Sequence, residues 1–412
     1  MASLVLLLAL AADWPQWLGP DRDGVWREDG ILDTLPKEPK ILWRTPVGGG
    51  YAGPAVAGGK VYVNDRQLAS GEKEDDNPFA RSRSKGTERL LCLDAKTGKE
   101  LWKHEYECRY AMSYPSGPRT TPVVAHGKVW SLGAMGDLAC LDAAKGTVVW
   151  AKNLMKEYKA PVPVWGFSAH LLLDGKNLIT LAAKDPAVVA LDRDTGKEVW
   201  RSLKIDSADI GYCPPVIHTF GGKRQLIVWH PESVNGLDPA TGKELWSHEW
   251  KVQSNLSVSM PRKVGEDGLF LTAFYNGCRL LKVGKDGAEL AWKRHGRSEQ
   301  VTDGLHSIMP TPVIVGKHAY GVCSYGELRC LDLEEKGKRI WEDLTATGTG
   351  GKRERWANAF LVPHGERWFI FNEQGELITA KLTPKGYEET SRAKILEPTG
   401  QLAGRFTDAR KV

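Results

Sequence analysis

The sequence predicts an all-β ring of four-stranded blades, a β-propeller, on three observations: a recurring hairpin string, a tryptophan closing each copy, and a composition rich in turn and aromatic residues. The strings LDAKTGKELW (93–102), LDAAKGTVVW (141–150), LDRDTGKEVW (191–200) and LDPATGKELW (237–246) are one unit repeated four times. Weaker copies follow at LKVGKDGAELAW (281–292) and LDLEEKGKRIW (331–341). The closing residues Trp102, Trp150, Trp200, Trp246, Trp292 and Trp341 are spaced by 48, 50, 46, 46 and 49 positions, a period that suits a four-stranded blade. The 44 glycines, 23 prolines and 16 tryptophans among 412 residues point the same way, toward many short strands joined by tight turns.

Each part of the unit has a physical task. The Asp at the strand end accepts hydrogen bonds from the backbone N–H groups that follow, and Thr-Gly or Lys-Gly supplies the turn. The Trp is large enough to lie against the next blade, so these six indoles are expected to dock blade to blade around the ring. Upstream of each hairpin stands a second piece, small-Pro-apolar-apolar followed by a Gly turn, which adds two strands. It is clear in GPAVAGGKVYV (53–63), TPVVAHGKVWSLG (121–133), PPVIHTFGGKRQLIVW (214–229) and TPVIVGKHAYGVC (311–323), and looser at 168–183 and 258–275. A seventh copy opens at AFLVPHGERWFIFNEQGELITAKL (359–382) but lacks its tryptophan, and its hairpin through Lys385-Gly386 is degenerate. Trp43 in ILWRTPV reads as the last strand of another blade. Either it belongs to an incomplete eighth blade, the preferred reading, or it completes the last repeat of a seven-bladed ring.

The chain therefore divides into an expected export signal at 1–12, an N-terminal extension at 13–34 and one propeller domain at 35–412. The signal rests on the apolar run 4–11, too short to span a bilayer, so an exported or periplasmic protein without a transmembrane segment is expected. The charged stretch 66–89 lacks apolar periodicity and is expected to form a solvated loop inserted in the first repeat. The net charge of +5 comes from 56 basic and 51 acidic residues mixed along the chain, which argues against a nucleic-acid partner. Seven cysteines without a CxxC pair read as buried apolar residues, with a Cys323–Cys330 bridge left open.

The Asp-x-x-Thr-Gly-x-x-x-Trp repeats resemble the pyrroloquinoline quinone (PQQ) repeat family across nearly the whole chain. That family spans quinoprotein alcohol and glucose dehydrogenases and the non-enzymatic propeller of the bacterial outer-membrane barrel-assembly machinery. DWPQWLGPDRDGVW (13–26), GPRTTPVV (117–124), DGLHSIMPTP (303–312), YGVCSYGELRCLD (320–332) and RWANAFLV (355–362) resemble the exported PQQ-binding-like propellers of planctomycete-type bacteria. In those relatives the segment matching Leu396-Glu397-Pro398 is followed by further strands that this chain lacks. The resemblance implies a quinoprotein-like propeller, with seven recognisable repeats and an incomplete eighth blade. In the catalytic members it also implies PQQ with calcium, adjacent cysteines, a Glu/Asn/Asp ligand set and an Asp base. No adjacent cysteines occur here, no metal site is expected, and a fold alone does not warrant an activity.

Function is expected where connections between blades converge on the channel. The positions flanking each small-Pro strand are Arg119, Trp165, Tyr212, Arg262, His306, Arg355, Trp356 and Asn358, with His230 and Tyr275 as further candidates. Arg and aromatic side chains suit a small anionic or planar ligand through guanidinium contacts and stacking, or they fill the channel. No GxSxG, HExxH or Walker string is present. Two functions remain: a non-catalytic exported scaffold, monomeric and binding a protein or small ligand, or a PQQ-dependent alcohol or sugar oxidoreductase with an atypical cofactor site. The missing cysteine pair favours the scaffold.

Overall fold

A computed structural model describes residues 13–398 except 75–76 and 82, together with the backbone of 400–401 and 410–411. The expected export signal at 1–12 lies outside the described residues. No helix among those described is long and apolar enough to cross a membrane.

The recurring hairpin forms as its residues dictate. Asp94 Oδ1 accepts from the Thr97 amide and hydroxyl, both at 2.8 Å, and Asp192 holds Thr195 in the same way. Gly98 and Gly196 follow at φ +68°, a left-handed conformation that favours glycine. These turns join the outer two strands of seven four-stranded antiparallel sheets, each in sequence order. Blade 1 holds β1 (Ala55–Ala57), β2 (Lys60–Leu68), β3 (Lys85–Asp94) and β4 (Glu100–Arg109). Blades 2 to 6 begin with the inner strands β5 (Val123–Ala125), β9 (Leu172–Asp174), β13 (Val216–Phe220), β17 (Arg262–Val264) and β21 (Val313–Val315). Blade 7 runs from β25 (Ala359–His364) to β28 (Gly386–Lys394). We call the end of the ring carrying the hairpin turns the turn end, and the opposite one the loop end.

A bulge recurs in the outer pair of every blade. It leaves Leu101, Val149, Val199 and Ile340 exposed and brings the next residue, the tryptophan, opposite a small one. Trp102, Trp150, Trp200 and Trp341 face Cys92, Cys140, Ala190 and Cys330. Cysteine is thus used here as a small apolar residue, and all seven are buried free thiols, so Cys323 and Cys330 form no bridge.

The indoles then dock across blades. Trp102, Trp150 and Trp200 donate to the Ala143, Arg193 and Pro239 carbonyls of the next turn at 3.3, 3.0 and 3.2 Å, and Trp341 donates to Thr383 at 2.8 Å. Trp246 departs from the expected direct docking, because the following turn at 284–287 is not of the Asp-Thr-Gly form. Its N–H goes to Gln225 at 2.6 Å, and the Gln225 amide reaches the Gly284 carbonyl at 2.8 Å.

Trp43 docks on blade 1 in the same fashion, donating to Ala95 at 3.0 Å. Blade 7 already has its own fourth strand, β28, so Trp43 does not complete that repeat. Residues 41–47 form no strand and pair with none among the described residues, so the expected eighth blade is not seen there and the described four-stranded blades number seven. Arg44 ties this segment to the Ile395 carbonyl after blade 7 at 2.8 Å.

Two expectations need revision. The loop at 66–89 is shorter, since β2 extends to Leu68 and β3 begins at Lys85. Two charges of that stretch stand on the strands and are buried, since Arg66 stacks 3.7 Å from the Tyr110 ring and Glu88 accepts from both the Tyr106 and Tyr110 hydroxyls, whereas Lys73, Arg81 and Arg83 in the shortened loop are exposed as expected. The extension at 13–34 is integral to the ring. Trp14 pairs with Val56, Trp17 stacks on His170 at 4.5 Å, and the Trp26 amide donates to Pro363 at 2.9 Å, so one segment ties blades 1, 3 and 7 together.

Candidate functional site at the loop end

Connections between blades place most of the sequence-selected residues at the loop end. Trp165, Tyr275 and Trp356 pack there into one cluster with Phe274, Tyr325 and Leu256. Trp356 lies 4.9 Å from Phe274 between ring centroids, and Phe274 lies 4.3 Å from Tyr275. Arg355 caps the cluster, 4.5 Å over Trp356, with Nη2 donating to Glu299 at 2.7 Å. The Tyr325 hydroxyl donates to the other Glu299 oxygen at 2.8 Å, so this carboxylate organises cation and phenol together. Trp356 holds φ +73°, a strained conformation for an aromatic residue, and its amide donates to Ser324 at 2.7 Å.

Tyr212 joins from the neighbouring connection. It is edge-on to Trp165 at 5.3 Å, and its hydroxyl donates to Asp209 at 2.5 Å. Burial, then the Asp209 charge, pushes the Tyr212 phenol up, so it stays a neutral donor. Arg119 turns back on its own loop, donating to the Ser113 carbonyl at 3.1 Å and lying 5.0 Å over Tyr51.

Three candidates stand apart. His230 is buried beside Ser233, whose hydroxyl lies 3.0 Å from Nε2, and burial pushes its imidazole down to about 4. His306 is buried with its ring nitrogens 2.9 and 3.1 Å from the Phe274 and Asp303 carbonyls, and burial again dominates, to about 4. Burial favours the neutral form of both rings, although His306, with a carbonyl at each nitrogen, can then donate to only one of the two. Arg262 sits toward the turn end, donating to the Asp23 carbonyl at 2.7 Å.

Asn358 is buried, with its amide nitrogen on the Trp356 carbonyl at 2.6 Å. Its Oδ1, Arg355 Nε, Trp356 Nε1 and Ser257 Oγ are buried without hydrogen-bond partners. Buried polar atoms are ordinarily satisfied, so the loop end holds two spare N–H donors, one spare acceptor and a hydroxyl able to serve as either. Sequence reasoning missed Glu299, Asp209 and Phe274. Glu299 carried one usable signal, a charge within the irregular connection HGRSEQVTDG (295–304).

PQQ with calcium is the group implied by resemblance to the catalytic quinoproteins. Among the described residues no group of three or more His, Cys, Asp or Glu is placed to hold a metal ion. The cysteines are separate, buried free thiols. These residues do not form the donor set that such a cradle requires.

The sequence profile described as outer membrane protein assembly factor BamB matches residues 86–343. A protein of that name from Burkholderia pseudomallei is 24% identical over 254 residues, 61% of this chain and 61% of its own length. A polyvinylalcohol dehydrogenase from a Pseudomonas species is 23% identical over 368 residues, 71% of this chain and 56% of its own length. The chain thus spans about three fifths of each relative. Among solved structures, quinohemoprotein alcohol dehydrogenase from Comamonas testosteroni shares the fold, with a TM-score of 0.62 at 15% identity over 95% of this chain and 75% of that one. From its repeats, its sheet order and the profile match over most of its length, the chain belongs to the PQQ-like repeat family described as outer membrane protein assembly factor BamB.

Proposed function

We propose that this protein is a non-catalytic, exported binding scaffold whose loop end takes a protein partner. The observation that carries this reading is the state of the loop end. Its aromatic and charged side chains are locked to one another, and four buried polar atoms are left over for a ligand's hydrogen bonds. A preformed aromatic and Arg surface with unspent donors is the composition of an interface hot spot. The relatives support either side of the choice, one being named as an assembly factor and the other as a dehydrogenase. Export is supported by the apolar run 4–11, and a monomer is expected in light scattering.

The test is titration of the purified protein with PQQ and calcium, followed by absorbance and by dye reduction with alcohols, sugars or polyvinyl alcohol. No saturable quinone binding and no turnover is expected. A photo-crosslinker replacing Tyr275 should trap a protein from the exported fraction, and the W356A variant should lose it. Stoichiometric quinone binding with turnover would overturn the scaffold reading and establish an oxidoreductase with an atypical cradle.

A further inference from the structure

Blade 1 reaches further than its neighbours at the loop end. Its second, third and fourth strands hold 9, 10 and 10 residues, against five to seven in the corresponding strands of blades 2 to 6. The turn after Asp94 fixes the other end of the sheet, so the extra residues carry it about 10–15 Å further along the strands at roughly 3.3 Å each. The ladder continues past both strand ends: the Tyr110 amide donates to the Ser84 carbonyl at 2.9 Å, and the Ala69 amide to the Lys85 carbonyl at 3.1 Å. The loop beyond is seated on the connection from blade 1 to blade 2, for the Tyr114 amide donates to Pro78 at 2.7 Å and the Phe79 ring lies edge-on to Tyr114 at 5.2 Å. That connection adjoins the loop-end site, since the Ser113 amide donates to Val164, next to Trp165, at 2.9 Å.

The tip of this projection carries cations without counter-ions. Lys85 and Arg109 stand directly opposite each other in the register of β3 and β4, and both are exposed. Arg83 is exposed two positions before Lys85, with the buried Ser84 between them, and Arg81 and Lys73 are exposed on the same loop. The ion pairs of this blade are Arg89 with Asp65 and Lys103 with Glu105, and none of the five cations joins one among the described residues. The carboxylates of the loop are turned elsewhere, Glu72 accepting from the Lys85 amide and Glu74 from the Ser116 hydroxyl, each at 3.1 Å. Like charges directly opposite in a ladder destabilise it, and the other six blades avoid them at this place. There Asp137 faces Asn153, Val188 faces Ser202, Ser233 faces Glu249, Cys278 faces Arg294, Leu328 faces Asp343 and Glu376 faces Lys394. A local cost of this kind, confined to one exposed tip, is the mark of a surface kept for binding.

We propose that this tip docks an acidic polypeptide segment, which lies along Arg83, Lys85 and Arg109. The inference rests on the scaffold reading and deepens it: the protein partner of the loop end carries an acidic stretch beside the part that meets the aromatic cluster. An extended segment presents side chains on one face at every second residue, the spacing of Arg83 and Lys85. Charge complementarity at the rim of an interface then sets the encounter rate and excludes wrong partners. A broad anionic surface such as a membrane is disfavoured, because Glu105 and Glu107 are exposed on the same strand as Arg109.

The test is fluorescence anisotropy of a fluorescein-labelled decaglutamate peptide titrated with the full chain. Saturable binding is expected, weakened about tenfold between about 20 and about 200 mM salt. R83E/K85E should loosen it about tenfold. K197E/K243E, an equal change of net charge on exposed hairpin turns at the opposite end, should leave it within about twofold. R109Q should bind the peptide less well yet unfold at no lower urea concentration than the parent, because it relieves the like-charge pair. W356A, which tests the loop-end reading, should bind the peptide as the parent does, so that failure of that reading and failure of this one are read separately. Equal weakening by the two double variants would reduce the tip to net charge and overturn the proposal. Unchanged affinity in R83E/K85E would overturn it too, as would tighter binding to phosphatidylglycerol vesicles, read by co-sedimentation, than to the peptide.

Discussion

Blade docking through a glycine and an indole can be measured within a single blade. Gly196 and Gly175 both lie in turns of blade 3 at positive φ, +68° and +56°. A methyl group on Gly175 meets nothing within 4 Å, whereas one on Gly196 would stand 2.7 Å from Trp150 of the preceding blade. Both Ala substitutions carry the cost of a left-handed residue, about 1–2 kcal/mol, offset by the loss of unfolded-state freedom. Only G196A adds overpacking, about 1–3 kcal/mol, and loosens the Trp150 bond to Arg193. Urea unfolding followed by circular dichroism should therefore place G175A about 1 kcal/mol below the parent and G196A about 2–4 kcal/mol below it. In the W150A background the G196A penalty should shrink by about 1 kcal/mol or more, since the two groups act on one contact. Equal midpoints for the two glycine variants, or strict additivity with W150A, would refute the docking argument.

The relay at Gln225 is a second point of weakness. Replacing it by Leu strands the Trp246 N–H and two carbonyls, so Q225L should lose about 2–4 kcal/mol in the same urea assay, and a loss below about 0.5 kcal/mol would contradict the relay. Acid should destabilise the fold in two stages. Burial holds His218, His230 and His306 near 4 and His170 well below its ordinary value, so the unfolded chain takes up protons first as pH falls below about 6.5. The melting temperature should stay level above that pH, fall between about 6.5 and 4, and fall further below about 4. In that lower range Asp94 and Asp192, depressed by their Thr97 and Thr195 bonds, protonate and release their turns. A melting temperature independent of pH from 7 to 4.5 would contradict the buried neutral histidines.

The loop-end site was half legible in the sequence. Trp165, Tyr212, Tyr275, Arg355, Trp356 and Asn358 gather there because each lies in a connection whose place the repeat already defines. Their partners were not legible. Glu299 meets Arg355 across 56 positions, and nothing local marks the two as a pair. Arg262 was placed at the wrong end of the channel by its nearness to Pro261. As the first residue of β17 it instead reaches the N-terminal segment, a contact made over 239 positions.

By itself the sequence determined the blades. The Asp-Thr hydrogen bonds close within four residues and the glycine φ is local, so a repeat read in the string is a turn in the molecule. The tryptophan register follows from those turns, Trp43 included. Tertiary structure alone decided where charge is buried. Arg66 and Glu88 look solvated in a charged string, yet the tyrosines of the adjoining strand and loop supply the partners that make burial affordable. It also decided that residues 13–34 strap the ring, and that Trp292 keeps a spare N–H. Both depend on which distant carbonyl stands within 3 Å, which no local pattern encodes.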